Sequence, residues 1–162
     1  MNTCIFSDCR KYRYVLDHDV GALSSDSKEY AAWIGLNPSI ADEQKLDRTL
    51  KKILGFTKQF GFQRFKMINL FALVSTDAQV MLKHAAPVGP MNDEHILKVC
   101  EGAEVIVCCW GDDGIHLGRA DSILNLLSSF DLNCLGLTDE GQPRHPLYVL
   151  GSTRLRVLRK AR

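Results

Sequence analysis

The chain has 162 residues, enough for one hydrophobic core and therefore read as one domain, 1–162. Hydrophobic residues make up 46% and charged residues 24%, the balance of an ordinary soluble protein, and no apolar run is long enough to span a bilayer. The net charge of +1 excludes a strongly basic nucleic-acid scaffold but neither requires nor forbids a nucleic-acid partner.

Residues Lys11 to Leu16 alternate, with Tyr12 and Tyr14 on one side, and predict an edge strand or hairpin arm within an N-terminal segment 1–28. Gly21 to Lys28 is rich in Ser and Asp and predicts a loop. Tyr30 to Leu36 is a short apolar run that reads as a buried strand; Pro38 bars helical geometry at Asn37 and ends it in a tight turn. Asp47 then precedes a helical face of Leu50, Ile53, Leu54, Thr57 and Phe60, with Gly61 as its stop.

Phe65 to Phe71 predicts a second strand, interrupted by Asn69. Thr76 and Asp77 are capping residues for a short helix, and Pro87 to Pro90 form a rigid loop. Asn92 or Asp93 caps another helix, with Ile96, Leu97 and Cys100 facing inward. Val105 to Cys109 is a third strand, ending at Trp110-Gly111, and a helix is predicted from about Ile115 to Phe130. Leu132 to Leu137 reads as a fourth strand, Asp139 to Gly141 as a turn, and Gln142 to Leu150 as a polar cluster with a last short strand.

Strands alternating with helices predict an α/β three-layer sandwich around a mostly parallel, four-stranded sheet. Ligands in such folds collect beyond the carboxyl ends of the strands. Those ends carry Asn37, Asn69, Trp110-Gly111 and His145-Pro146. Each also has a purely structural use. Asn-Pro is a common turn dipeptide, an asparagine can bond neighbouring backbone, and a tryptophan can be core.

The cysteines read as buried free thiols: Cys108 and Cys109 are adjacent in an apolar run, Cys100 lies in a helical segment and Cys134 in a strand. Only Cys4 and Cys9 offer a pairing near the surface, and the spacing of zinc ligands is absent. No metal, disulfide or cofactor is therefore expected. The N-terminus Met1-Asn2-Thr3-Cys4 lacks a signal-peptide pattern, so the expected location is the cytoplasm, with no membrane partner. Arg154, Arg156, Arg159, Lys160 and Arg162 crowd the C-terminus, and segment 154–162 reads either as a solvated basic tail or as a phosphate-contacting patch.

Four segments resemble, in order, the motifs of the uracil-DNA glycosylase superfamily. Gly35-Leu36-Asn37-Pro38-Ser39 is similar to its first motif, closest to the Gly-Ile-Asn-Pro-Gly version of the mismatch-specific enzymes. Met67 to Phe71 resembles the strand whose asparagine reads the base edge; Cys109-Trp110-Gly111 with Gly118-Arg119-Ala120 resembles the Leu-Trp-Gly segment; His145-Pro146-Leu147 resembles the His-Pro-Ser motif. The whole chain also resembles a family of small bacterial and phage proteins catalogued as a domain of unknown function. The shared segments are Gly35 to Ser39, Asn69 to Ala72, Pro87 to Asp93, Trp110-Gly111 and Pro143 to Tyr148.

The glycosylase resemblance implies a fold of that type and a base-excising activity on DNA or a nucleotide, in DNA repair or modification. It assigns catalysis to Asn37, which would place a water, and to His145, which would donate to the departing base. It assigns substrate binding to Gly35, Pro38, Ser39, Asn69, Phe71, Trp110, Gly111, Arg144 and Tyr148, with Tyr148 or Leu150 as the wedge that fills a duplex when a base leaves it. Asn37 stands where the fastest glycosylases have aspartate, and Leu147 where a serine holds a phosphate. Asp42 and Asp47 are nearby candidates to assist Asn37. Two other classes stay open. One is a nucleotide or modified-base enzyme in which Asp47, Arg48, Asp93 and Arg144 matter more, with Asn92 a further secondary candidate. The other is a non-catalytic module that binds nucleic acid or protein.

Overall fold

The computed structural model describes residues 2–21, 28–40 and 44–162. Most of the loop predicted over Gly21 to Lys28, and the candidate Asp42, lie outside the described residues. The elements in chain order are β1 (Thr3–Phe6), β2 (Arg13–Asp19), β3 (Ala31–Gly35), α1 (Arg48–Gln59), β4 (Arg64–Asn69), α2 (Ala78–Lys83), α3 (Asn92–Glu101), β5 (Val105–Cys108), α4 (Arg119–Leu126), β6 (Leu132–Cys134) and β7 (Arg156–Arg159). Short 3₁₀ segments cover Asp112–Gly118 and Pro146–Tyr148. No helix of the described residues is long and apolar enough to cross a membrane.

The strands form one mixed sheet of seven, in the order β1-β2-β4-β3-β5-β6-β7. The predicted sheet of four was too small. β3 pairs parallel with β4 and with β5, and β5 pairs parallel with β6. An antiparallel β1–β2 hairpin extends one side through β4, and antiparallel β7 extends the other. The strand read over Lys11 to Leu16 as an edge strand or hairpin arm is a hairpin arm and not an edge strand, because the four residues of β1 cover its outer side. So short a strand carries too little alternation to be read from sequence.

Period-two alternation assigns the two faces of β3. Ala31 and Trp33 face α1, with Leu50, Ile53 and Phe56, while Ala32 and Ile34 face α3 and α4, with Ile96, Ala120 and Ile123. Helices thus cover both faces, and all five residues of β3 are buried. Trp33 is anchored by its indole N–H, which donates to Thr57 Oγ1 at 3.0 Å.

Three predicted elements end differently. The helix expected from Ile115 to Phe130 begins only at Arg119, because Leu117 (φ 54°) and Gly118 (φ 64°) take left-handed conformations. Neither Asn92 nor Asp93 caps α3: Met91 occupies that position without a side-chain bond. The last short strand expected within Gln142 to Leu150 is the 3₁₀ turn Pro146–Tyr148 instead, and the chain's final strand lies beyond it.

The segment read as a solvated basic tail contains that final strand. β7 pairs with β6, and the Arg159 guanidinium reaches back to the end of α4, donating to the carbonyls of Leu124 and, at 2.6 Å, of Leu127. Leu127 O also accepts the Phe130 N–H at 3.0 Å, and the arginine adds its charged donors to the carbonyls at this helix C-terminus. Lys160, in contrast, reaches an exposed Asp131 at 3.3 Å. Arg159→Ala is expected to lower stability by about 1–3 kcal/mol in urea denaturation, because it removes the hydrogen bonds of a half-buried charged group. Lys160→Ala should leave the midpoint unchanged, as exposed ion pairs contribute little.

Candidate functional site at the strand ends

A cavity of about 400 Å³ opens beyond the carboxyl ends of β3, β4 and β5. Its wall is built by the loops that follow those strands and by the segment before the Pro146–Tyr148 turn. The loops are tied to one another. Leu70 and Phe71 donate their backbone N–H to the carbonyls of Gly35 and Leu36, both at 2.9 Å, and Ser75 donates to Pro38 O at 2.9 Å. Gly111 N–H donates to Pro143 O at 2.8 Å, and the Trp110 indole donates to Gln142 Oε1 at 2.9 Å. These two bonds fix the His145 segment to the end of β5. Gly111 itself has φ 74° and ψ −172°, a geometry that favours glycine.

Asn69, the last residue of β4, is 1% exposed and lines the cavity. Neither end of its side-chain amide has a hydrogen-bond partner. A buried unpaired amide costs about 1–3 kcal/mol, and this one leaves a donor and an acceptor side by side at the cavity. Its placement depends on Gly35. A Cβ at that position would lie 2.8 Å from Asn69 Oδ1 and 2.4 Å from Met67 Cε. Its backbone is held from the other side: Asn92 Nδ2 donates to the carbonyls of Asn69 and Leu70, at 2.9 and 3.1 Å. Arg119 Nε donates to the same Leu70 carbonyl at 2.7 Å, and Arg119 in turn pairs with Asp93.

Asn37 uses its Nδ2 hydrogens on Pro38 O, at 3.1 Å, and Ser75 O, at 3.0 Å. Only its Oδ1 is left to face a ligand, and that atom can accept a hydrogen bond but not remove a proton at neutral pH. Ser39 Oγ donates to Asp47 Oδ2, while Asp47 Oδ1 accepts from Leu50 N at 2.8 Å and caps α1. Asp47 is thus occupied in holding the Asn37 loop against the helix.

His145 Nδ1 accepts the Leu147 backbone N–H at 3.2 Å. That bond requires the neutral tautomer with its proton on Nε2, leaving Nε2–H as a donor. Burial holds the His145 imidazole below its ordinary value of 6.5, opposed in part by the Asp47 carboxylate. The histidine is therefore a neutral donor at neutral pH.

The cavity brings together Gly35, Asn37, Pro38, Ser39, Asp47, Asn69, Trp110, Gly111, His145 and Tyr148 from the predicted set. It does not include Phe71, Arg48, Asn92, Asp93 or Arg144. Phe71 is fully buried in the core and its ring meets His116 at 5.7 Å. Arg144 is exposed and donates to Leu137 O at 2.9 Å. Asn92 and Asp93 hold backbone and Arg119, as described above. Trp110 is 2% exposed and its N–H is committed, so it serves as wall.

The sequence reading missed Arg13, Asp112 and Asp113, all of which line the cavity. Arg13 is 2% exposed although it sits between two tyrosines of an alternating run. A charge within a strand that proves to be interior was its signal. Asp112 and Asp113 follow directly on the Trp110-Gly111 turn and are legible only once that turn is placed at the cleft.

Two outcomes follow from this geometry. Gly35→Ala is expected to lower stability by about 1–3 kcal/mol, as overpacked sites do, and to shift the Asn69 side-chain amide in NMR spectra. His145 should titrate below its ordinary 6.5 in NMR. The unfolded chain then takes up a proton near 6.5 that the folded chain refuses until lower pH. The His145 contribution to stability is therefore complete above 6.5, falls as pH drops below it, and levels off below the folded value. His145→Gln should remove that part of the pH slope in denaturation curves.

No curated protein and no solved structure matches the chain. The family described as a protein of unknown function (DUF1643) matches residues 13–147, from the buried Arg13 through the turn that holds His145. By that match, over most of its length, the chain belongs to this family.

Proposed function

We propose that the cleft binds a nucleobase and that the protein is an N-glycosidase, cleaving the bond between a base and its sugar in DNA or in a smaller nucleotide or nucleoside. The observation that carries this reading is the unpaired amide of Asn69, buried in the same cavity as the neutral donor His145. An amide offers one donor beside one acceptor, which complements the paired donor and acceptor on the edge of a base. The resemblance of the strand-end motifs to the uracil-DNA glycosylases assigns the same roles to the same two residues.

Cleavage breaks the C1′–N bond, and its electron pair departs with the base. His145 Nε2–H donates to the oxygen on which that negative charge gathers. Asn37 Oδ1 orients the water that adds to the cationic sugar carbon, and the proton lost by that water balances the anionic base. Tyr148, 77% exposed at the cavity, is placed to cover the bound base or to take its place in a stack.

The test is a screen of purified protein against single- and double-stranded DNA carrying uracil and modified bases, scored for abasic sites, with free nucleotides and nucleosides scored for released base. His145→Ala is expected to slow release about 10²–10³-fold, the usual cost of one donor to a developing anion, with ligand binding nearly intact. Asn69→Ala should instead blur the choice among bases. A silent His145 with a dominant Asp47 would favour other chemistry on a nucleotide. Retained binding with no turnover on any substrate would favour a binding module.

A further inference from the structure

The charge lining the cleft narrows the ligand further. Among the described residues, Asp47, Asp112 and Asp113 line it, against one basic side chain, Arg13, which is buried. His145 is held in its neutral form. The exposed Arg48 and Arg144 stand outside the lining. Asp112 accepts from Thr138 Oγ1 and keeps an oxygen to spare, and Asp113 is exposed with no hydrogen bond or ion pair among the described residues. The hydroxyls of Ser39, Thr49 and Thr76 complete a polar lining that holds no exposed cation among the described residues.

A phosphate carried into such a site meets the half-buried Asp47 and the exposed Asp112 and Asp113, and like charges repel there, most strongly at low salt. Sugar hydroxyls are favoured there, since O–H donors to carboxylates form short, strong bonds. The carboxylates do not stand alone as a feature, because the buried unpaired Asn69 amide faces the same cavity. A cavity of about 400 Å³ is also of the size that encloses one small molecule. Resting on the base-binding reading, we propose that the cleft takes an unphosphorylated nucleoside. Its base pairs with Asn69, its sugar hydroxyls donate to Asp112 and Asp113, and nucleotides and nucleic acid are disfavoured.

Calorimetric titration of the intact protein tests this with uridine, cytidine, adenosine and guanosine, their 5′-monophosphates, and single-stranded oligonucleotides of the same bases. At least one nucleoside should bind about ten-fold or more tighter than its monophosphate at low salt, with the gap shrinking as salt screens the carboxylates. The Asp112→Asn, Asp113→Asn double variant, with an unchanged denaturation midpoint, should narrow that gap. Equal or tighter binding of a monophosphate or oligonucleotide overturns the inference, as does a gap unmoved in the variant, or failure of every nucleoside to bind. The outcome is separable from the catalytic reading. Base release from DNA with weak nucleoside binding keeps the N-glycosidase and overturns the nucleoside. Nucleoside-selective binding with no base release does the reverse.

Discussion

The constraint on which the site depends is a buried amide kept without a partner. Asn69 gives up its contacts with water and receives none in return. A cost of about 1–3 kcal/mol survives only where surrounding structure enforces it. Here the enforcement comes from three sides. Gly35 leaves the space that any larger residue would fill, Asn92 and Arg119 hold the carbonyls of Asn69 and Leu70, and β4 is locked between β2 and β3.

The mixed sheet makes this arrangement possible. Parallel pairing of β4, β3 and β5 brings three loops to one end, and those loops hydrogen-bond to one another rather than fold back on their own strands. The Pro143–His145 segment arrives from a distant part of the sequence and is fixed to the end of β5 by Gly111 and Trp110. Conserving the order of strands without these ties would leave His145 free to swing. With them, a neutral histidine donor and an amide acceptor, Asn37, face the cavity that Asn69 lines.

Much of the site was legible in sequence because tight turns and strand ends use distinctive residues. Pro38 after Asn37 and Gly111 after Trp110 mark turns, and the runs before them are too apolar to be anything but buried. What escaped reading depends on pairing between distant segments. β1 and β7 are four-residue strands whose registers are set by partners, not by their own patterns. Arg159 looked like solvated charge because its acceptors are carbonyls more than 30 residues away in the chain. Phe71 and Asn92 sat inside promising motifs, yet one packs in the core and the other holds backbone. A motif identifies a loop more reliably than it identifies which side chain of that loop faces the ligand.

On the proposed function, Asn69 meets the edge of a base. The most direct measurement is the NMR signal of its side-chain amide, assigned by comparison with Asn69→Asp, while a nucleoside is added. A saturable shift of that amide is expected, following the same binding curve as the His145 ring and absent when the sugar alone is added. Saturable nucleoside binding that leaves the Asn69 amide unmoved would rule that contact out.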